Sequence, residues 1–230
     1  MPPDPVAPKG SSATKARILE AAVAEFAERG VAGARVDRIA EAAKANKRLI
    51  YVYFGNKDRL FDIVVQHCVR TLAEAVPLTP YDLPAYAGAL FDYLTAHPHL
   101  LRLATWKLLE RPEIDVAEQE SYRAKISMLT SAADTFSPGL HPVDVLAVVL
   151  GLARTWPTTS PALRGLAAED PTSPQRLARH RAAVVAAVRG LQTGPVDPGT
   201  PVSGPPSRAG EDNPRTGPWP SGGTRIRAES

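Results

Sequence analysis

Apolar residues recur at helical spacing from residue 14 to residue 192, and this periodicity constrains the fold more than any other feature. In the segment TKARILEAAVAEFAERG we expect a helix that begins at the N-cap Thr14 and ends at Gly30. Prolines stand at or beside the later breaks, and no segment alternates with a period of two, as a half-buried strand would. Further helices are predicted over residues 36–43, 47–54, 57–76, 82–96, 98–109, 113–135, 141–155 and 173–192. The predicted fold class is therefore all-α, with about nine helices and no sheet.

The two ends of the chain differ in composition from the helical part. Residues 1–13 are rich in Pro, Ser and Ala, and residues 193–230 are dominated by Pro, Gly, Ser and Thr with few apolar side chains. Segments of this kind bury too little apolar surface to offset the loss of chain entropy on ordering. We therefore predict a disordered arm at the N-terminus and a disordered tail at the C-terminus.

Cysteine content and hydropathy indicate the compartment. Cys68 is the only cysteine, which excludes an intramolecular disulfide and favours a reduced intracellular setting. We expect its side chain to act as a small buried hydrophobic group. The N-terminus has no apolar signal segment, and the most apolar run, residues 145–153, is far shorter than the roughly 18–20 residues of a membrane span. The sequence predicts a cytoplasmic protein with no membrane partner.

Positive charge is concentrated near the N-terminus. Residues 1–60 contain 11 Lys/Arg and 7 Asp/Glu, whereas residues 61–230 contain 16 and 17. This asymmetry indicates an anionic partner for the N-terminal part, either nucleic acid or a membrane surface.

Two short predicted helices within this basic part, 36–43 and 47–54, are joined by the tight segment KAN, which is the spacing of a helix-turn-helix. At 100° per residue, Ile50 and Phe54 share the face that would anchor the second helix in the core, and Asn46 would cap its start. Periodicity alone leaves DNA binding and an ordinary solvated face equally open. A membrane surface is disfavoured, because the basic helix is short and its apolar face is needed inside. The outward side chains are Lys47, Arg48, Tyr51 and Val52.

The side chains of the second helix match the chemistry of a DNA duplex. Arg48 can contact a guanine edge, and Val52 or Leu49 can meet a thymine methyl group. Tyr51 and Tyr53 offer hydroxyl groups to phosphates. The pattern is therefore suited to contacts with both base edges and backbone.

Residues 14–65 resemble the DNA-binding head of the tetracycline-repressor (TetR) family of bacterial regulators. The resemblance is carried by ILEAAVAEFAERG in the first helix, VDRIAEAA in the second, and IYVYFGNKDRLF at the junction of the third and fourth helices. It implies a three-helix DNA-binding domain over residues 14–60, with the helix-turn-helix at about 35–54. The candidate contacts to double-stranded DNA are Arg35, Lys44, Lys47, Arg48, Leu49, Tyr51, Val52, Tyr53 and Lys57.

Three positions of the head have particular expectations. Lys57, in the first turn of the fourth helix, can hold a phosphate together with the free backbone N–H groups there. Lys44 stands where the family usually has Gly, so it must tolerate whatever backbone the turn demands. Val52 stands where the family commonly has a polar or basic residue, so the family's usual polar contact to a base or a phosphate does not carry over to this position.

The resemblance also implies that residues 61–192 form a helical domain for ligand binding and dimerisation. Helices 141–155 and 173–192, rich in small residues, correspond to those through which family members form homodimers; alternatively, both are interior to one subunit. A pocket with an aromatic lining would suit an apolar or aromatic effector, although large side chains at helical spacing are more typical of an ordinary core. The candidate lining residues are Tyr86, Phe91, Leu103, Trp106, Tyr122 and Trp156.

The leading hypothesis is a homodimeric repressor that a small-molecule effector releases from a palindromic operator. The alternatives are a DNA-binding activator or a partner-controlled regulator without a pocket, and, from another class, a helical enzyme or scaffold. No nucleophile motif, phosphate loop or spaced carboxylate pair supports catalysis, and His97 and His99 lack a third ligand. We therefore predict no enzymatic activity, no cofactor and no metal site.

Overall fold

The computed structural model describes residues 9–113, 115–167 and 169–192. Within these residues no strand is formed, and Phe136 and Gln192 make one isolated antiparallel bridge. The all-α prediction is therefore confirmed. The helices are α1 (Lys9–Gly33), α2 (Val36–Ala42), α3 (Lys47–Phe54), α4 (Lys57–Ala75), α5 (Leu83–Ala96), α6 (Pro98–Glu110), α7 (Val116–Thr130), α8 (Pro142–Thr158), α9 (Pro161–Arg164) and α10 (Pro174–Arg189), with a 3-10 turn at Ala133–Thr135.

The first helix begins earlier than its sequence predicts. Residues 9–13, expected to belong to a disordered arm, are helical, and Thr14 lies inside α1 rather than at its N-cap. The physical reason is that Pro8 is the last proline of the N-terminal stretch, so nothing after it interrupts a helix. The rest of the predicted arm, residues 1–8, and the predicted tail, residues 193–230, lie outside the described residues.

Two predictions for the later helices are also corrected. The helix expected over 113–135 is shorter, because α7 starts only after its N-cap Asp115 and a 3-10 turn replaces its last residues. The segment Pro161–Arg164 forms a further helix, α9, that was not predicted. One helical turn is too short to produce a detectable period, so α9 has no signal in the sequence.

The buried side chains form two apolar cores. The N-terminal core joins α1, α2, α3 and the first half of α4, while the C-terminal core is built mainly from α5, α8 and α10. Helix α6 belongs to both, since Leu103 lies in the N-terminal core and Leu101 in the C-terminal one. The largest fully buried side chains of the N-terminal core are Phe26, Phe54, Phe61, Ile18, Ile39, Ile50 and Leu60.

Among the described residues, no helix is both long and apolar enough to cross a membrane.

Candidate nucleic-acid interface

The turn after α2 has a backbone that normally requires glycine. The Lys44 N–H donates to the Glu41 carbonyl (3.0 Å) and the Ala45 N–H to the Ala40 carbonyl (2.9 Å), which is the hydrogen-bond pattern of a Schellman motif. Lys44 has a φ of 49°, in the left-handed region, where a Cβ atom is unfavourable. This turn therefore holds a strained lysine beside the start of α3.

Helix α3 is held by a cap and two buried anchors. The Asn46 side chain accepts a hydrogen bond from the Arg48 N–H (2.8 Å), as the sequence predicts. Ile50 and Phe54 are each 1% exposed, which confirms the predicted inner face. On the outer side Tyr51 is 46% exposed and Val52 66% exposed. We call the outward side chains of this helix, Lys47, Arg48, Tyr51 and Val52, the α3 face.

Two of the predicted cationic contacts have partners within the protein. Lys47 Nζ lies 2.7 Å from Asp37 Oδ1 on α2, and this hydrogen bond raises the pKa of Lys47. Lys57 Nζ donates to the Ala34 carbonyl (3.2 Å) and is only half-exposed. Lys57 therefore joins the start of α4 to the segment before α2, whereas Lys47 stays on the surface of the α3 face.

The other residues predicted to contact DNA differ in how exposed they are. Arg35, Lys44 and Arg48 are exposed. Leu49 and Tyr53 are half-buried and pack against the N-terminal core. Lys44 and the α3 face are thus open to solvent, whereas Leu49 and Tyr53 are partly covered by the core.

Glu25 of α1 binds the start of α2. Its Oε1 accepts hydrogen bonds from the Arg35 N–H (2.9 Å) and from Arg38 Nε (2.8 Å), and the Arg38 guanidinium also donates to the Gly33 carbonyl (2.8 Å). Burial alone would raise the pKa of Glu25, but the hydrogen bonds from Arg38 and Arg35 and the nearby positive charges hold it below its ordinary value. The carboxylate is therefore ionised and fixes the junction between α1 and α2.

Sequence reasoning missed Asp37 and Glu25, the two carboxylates that organise the basic surface. Each pairs with a residue on another helix, ten to thirteen positions away in the chain. No periodic pattern links such residues, because their contact depends on how the helices cross. The one available signal was the presence of acidic residues inside an otherwise basic segment.

A cavity of about 620 Å³ lies between helices α4 to α8, within the size range of small-molecule sites. Its lining is mostly apolar and also includes charged side chains, some of which are paired. Arg111 lies 2.6 Å from Asp58 of α4, and Lys107 pairs with Glu118. The apolar lining residues include Val65, Val69, Leu72, Leu90, Leu94, Leu100, Leu101, Leu103, Leu108 and Leu150.

Two of the six predicted lining residues, Leu103 and Tyr122, line this cavity. Tyr86 and Phe91 are buried in the C-terminal core instead. Two tryptophans lie elsewhere: Trp106 Nε1 donates to the Ala27 carbonyl of α1 (3.3 Å), and Trp156 Nε1 donates to the Pro171 carbonyl (2.9 Å). Most of the bulky side chains therefore fill space between helices, and aliphatic residues form the cavity.

Cys68 also lines the cavity, and it is half-buried rather than fully buried. Burial raises the pKa of its thiol to about 11. At neutral pH this side chain is therefore an uncharged, weakly reactive part of the lining.

Comparison with known proteins identifies the family of this chain. Residues 18–64 match the family described as bacterial regulatory proteins, tetR family, and residues 82–190 match the tetracyclin repressor-like C-terminal domain. The first match runs from within α1 to the first half of α4, and the second spans α5 to α10.

Individual proteins are also similar to the chain. The HTH-type transcriptional repressor SCO4008 of Streptomyces coelicolor is 39% identical over 165 residues, which are 69% of this chain and 85% of that protein. The repressor NicS of Pseudomonas putida is 35% identical over 97 residues, covering 39% of this chain and 46% of NicS. The crystal structure of the transcriptional regulator SCO4942 from Streptomyces coelicolor superimposes with a TM-score of 0.69 at 40% identity, covering 78% of this chain and 98% of that one. The chain therefore belongs to the TetR family and is a DNA-binding transcriptional regulator, not an enzyme.

Proposed function

We propose that this chain is a homodimeric repressor, active in the bacterial cytoplasm, that leaves a palindromic operator when a small molecule binds its cavity. The observation that carries this proposal is the position of α6 between the two functional regions. Ala104 and Lys107 of this helix line the cavity, while Trp106 donates a hydrogen bond to α1 of the DNA-binding head. A ligand that favours one position of α6 therefore also favours one position of the head, and the coupling acts equally in both directions.

Contact with DNA is assigned to Lys44 and the α3 face. Arg48 supplies the donors for a guanine edge, and Val52 offers an apolar surface to a thymine methyl group. Lys44 and Lys47 provide charge for phosphates, so affinity should fall steeply as salt concentration rises. Repression, rather than activation, is supported by the name of the relative SCO4008, with which the chain aligns over 85% of that protein's length.

Dimerisation is assigned to the outer faces of α8 and α10. Each helix buries one side in the C-terminal core, through residues such as Val149 and Val184. Each also leaves small side chains exposed on the other side, including Ala147, Val148 and Gly151 on α8 and Ala182, Ala183 and Ala186 on α10. Small exposed residues let two pairs of helices approach closely, so a second copy of the chain fits there.

The cavity favours an effector over control by a protein partner. A regulator controlled only by a partner protein has no need of an apolar space of about 620 Å³. The lining suits a largely apolar molecule whose polar groups meet the charged side chains of the lining.

The test is to capture fragmented genomic DNA with the purified full-length protein and to sequence what is bound. The matched control is the variant Lys47→Ala/Arg48→Ala/Tyr51→Ala, whose three substitutions lie on the surface of α3. We expect the wild-type protein to enrich a palindromic site and the variant to lose that enrichment. Sedimentation of the protein with the recovered site should give two chains per duplex.

Recovery of unspecific DNA only, at low and at moderate salt, would contradict the proposal. Equal enrichment by the variant would show that the α3 face is not the surface that contacts DNA.

A further inference from the structure

Helix α1 is interrupted at Gly30, next to the last turn of α6. Gly30 has φ 67° and ψ −174°, a conformation that is almost restricted to glycine. A Cβ atom at this position would lie 2.6 Å from Glu110 Oε1 and 2.9 Å from the Trp106 ring. The interruption in α1 and the end of α6 therefore fit together without room for a side chain.

The interruption frees backbone groups of α1, and side chains of α6 bind them. Glu110 Oε2 accepts hydrogen bonds from the Val31 N–H (2.7 Å) and the Ala32 N–H (3.1 Å). Trp106 Nε1 donates to the Ala27 carbonyl (3.3 Å) on the other side of the break. Both kinds of backbone group need a partner when a helix is broken.

These side chains form one stripe along α6. Arg102, Trp106 and Glu110 are spaced by four residues, so they project from the same side of the helix. The Arg102 guanidinium reaches the Glu28 carbonyl at a longer distance, 3.4 Å. The opposite side of α6 supplies Ala104 and Leu108 to the cavity.

Glu110 makes the strongest of these contacts, because the two hydrogen bonds that its carboxylate accepts from backbone N–H groups are charge-assisted. The side chain that caps a helix usually belongs to a residue next to the helix end. Here Glu110 lies 79 positions after Val31 and 78 after Ala32 in the chain. It therefore fixes the direction of α1 relative to α6, and α1 carries α2 and α3 through the N-terminal core.

We propose that Glu110 is a positioning residue that sets the angle between the DNA-binding head and α6, and thereby the half-site spacing that the dimer accepts. This inference rests on the proposed function, in which two heads read one palindrome. One inserted base pair shifts a half-site by about 3.4 Å and rotates it about the duplex, so a rigid pair of heads should discriminate sharply between spacings.

The experiment compares wild-type protein with Glu110→Ala, Glu110→Gln and a control, Glu120→Ala. Glu120 lies on α7, is exposed and is not among the residues that line the cavity, so its substitution makes the same change of charge away from both α1 and the cavity. Affinity is measured for the recovered palindrome and for versions with one base pair added or removed between the half-sites. Thermal unfolding of each variant confirms that it is folded.

For the wild type and Glu120→Ala we expect one preferred spacing, with affinity lower by about tenfold or more on either side, the effect of losing roughly one good base contact. Glu110→Ala should bind the preferred spacing more weakly and bind the altered spacings almost as well. Glu110→Gln keeps one oxygen as an acceptor, so its profile should lie between the two; it also serves as the test if Glu110→Ala does not fold.

A variant that loses affinity by the same factor at all three spacings would overturn the inference, since that is the result of lost stability alone. An unchanged profile would overturn it as well. A wild-type protein with no preferred spacing would overturn the proposed dimeric function, and this inference with it.

Discussion

The α3 face and the cavity differ in how their side chains are supported. The α3 face stands on a short helix held by Ile50 and Phe54, and its own side chains contribute little to the core. The cavity is lined by side chains that are also part of the two cores, such as Leu101 and Leu103. The surface assigned to DNA can therefore change without loss of stability, whereas much of the cavity cannot.

The largest effect is expected at the cavity. Leu103 is 2% exposed and belongs to the N-terminal core, so Leu103→Ala should lower the free energy of unfolding by about 2–5 kcal/mol. Urea denaturation measures this change. Leu108→Ala is the matched control, because Leu108 lines the same cavity from the same helix but is 73% exposed; its effect should stay within about 0.5 kcal/mol. If Leu103→Ala and Leu108→Ala lowered the free energy of unfolding equally, membership of the core would not explain why cavity residues resist substitution.

The next effect is expected on the α3 face. Arg48→Ala should weaken binding to the recovered operator by about 1–3 kcal/mol, roughly five- to 150-fold, while the free energy of unfolding changes by less than about 0.5 kcal/mol. Fluorescence anisotropy and urea denaturation give the two quantities. Arg123→Ala, which removes an exposed arginine from α7, should change neither. A loss of stability that accounts for the loss of affinity would place Arg48 among structural residues.

A smaller effect is expected at the turn before α3. Lys44→Gly removes the strain of a left-handed lysine at the cost of greater freedom in the unfolded chain, and the net gain in stability should be about 0.5–1 kcal/mol. Lys44→Ala removes the same charge but keeps the strain, so it should not be stabilised. If Lys44 contacts a phosphate, both variants should show a slope of log affinity against log salt that is shallower by about one. Equal stability of the two variants would contradict the assigned strain.

The smallest effect is expected from Glu25. Its pKa is lower in the folded state than in the unfolded state, so its contribution to stability is present above the unfolded value, roughly 4.3, and is lost as the pH falls through the lower folded value. Between pH 5 and pH 3, wild-type protein should therefore lose more stability than Glu25→Gln, which cannot titrate there. Parallel curves for the two proteins, measured by urea denaturation across this range, would show that Glu25 does not contribute.

The features that the sequence predicted correctly depend on residues close together in the chain. The cap at Asn46 and the buried anchors Ile50 and Phe54 follow from local spacing and local backbone preference. Gly30, expected to end the first helix, interrupts it instead, and α1 continues to Gly33. The turn at Lys44 was marked only by the resemblance to the TetR family, which usually has glycine there, and its left-handed backbone is a finding of the structure.

The features that could not be predicted depend on how distant segments pack. The hydrogen bond from the Lys57 ammonium group to the Ala34 carbonyl, 23 positions earlier, had no signal in the sequence. Trp106 was expected in the pocket and instead contacts α1, 79 positions earlier. Helical periodicity shows that a side chain is on an apolar face, but it does not show which neighbouring helix that face meets.

The single thiol gives the cavity a built-in place for a chemical label. Because Cys68 is the only cysteine, a maleimide dye attaches at one position of the native chain without any substitution. With a pKa of about 11, only about one thiol in ten thousand is ionised at pH 7, so attachment is slow there and speeds up about tenfold for each pH unit. A dye attached slowly at neutral pH, where lysine amines are protonated and compete little for the maleimide, would sit at the cavity wall and change its fluorescence as molecules enter the cavity.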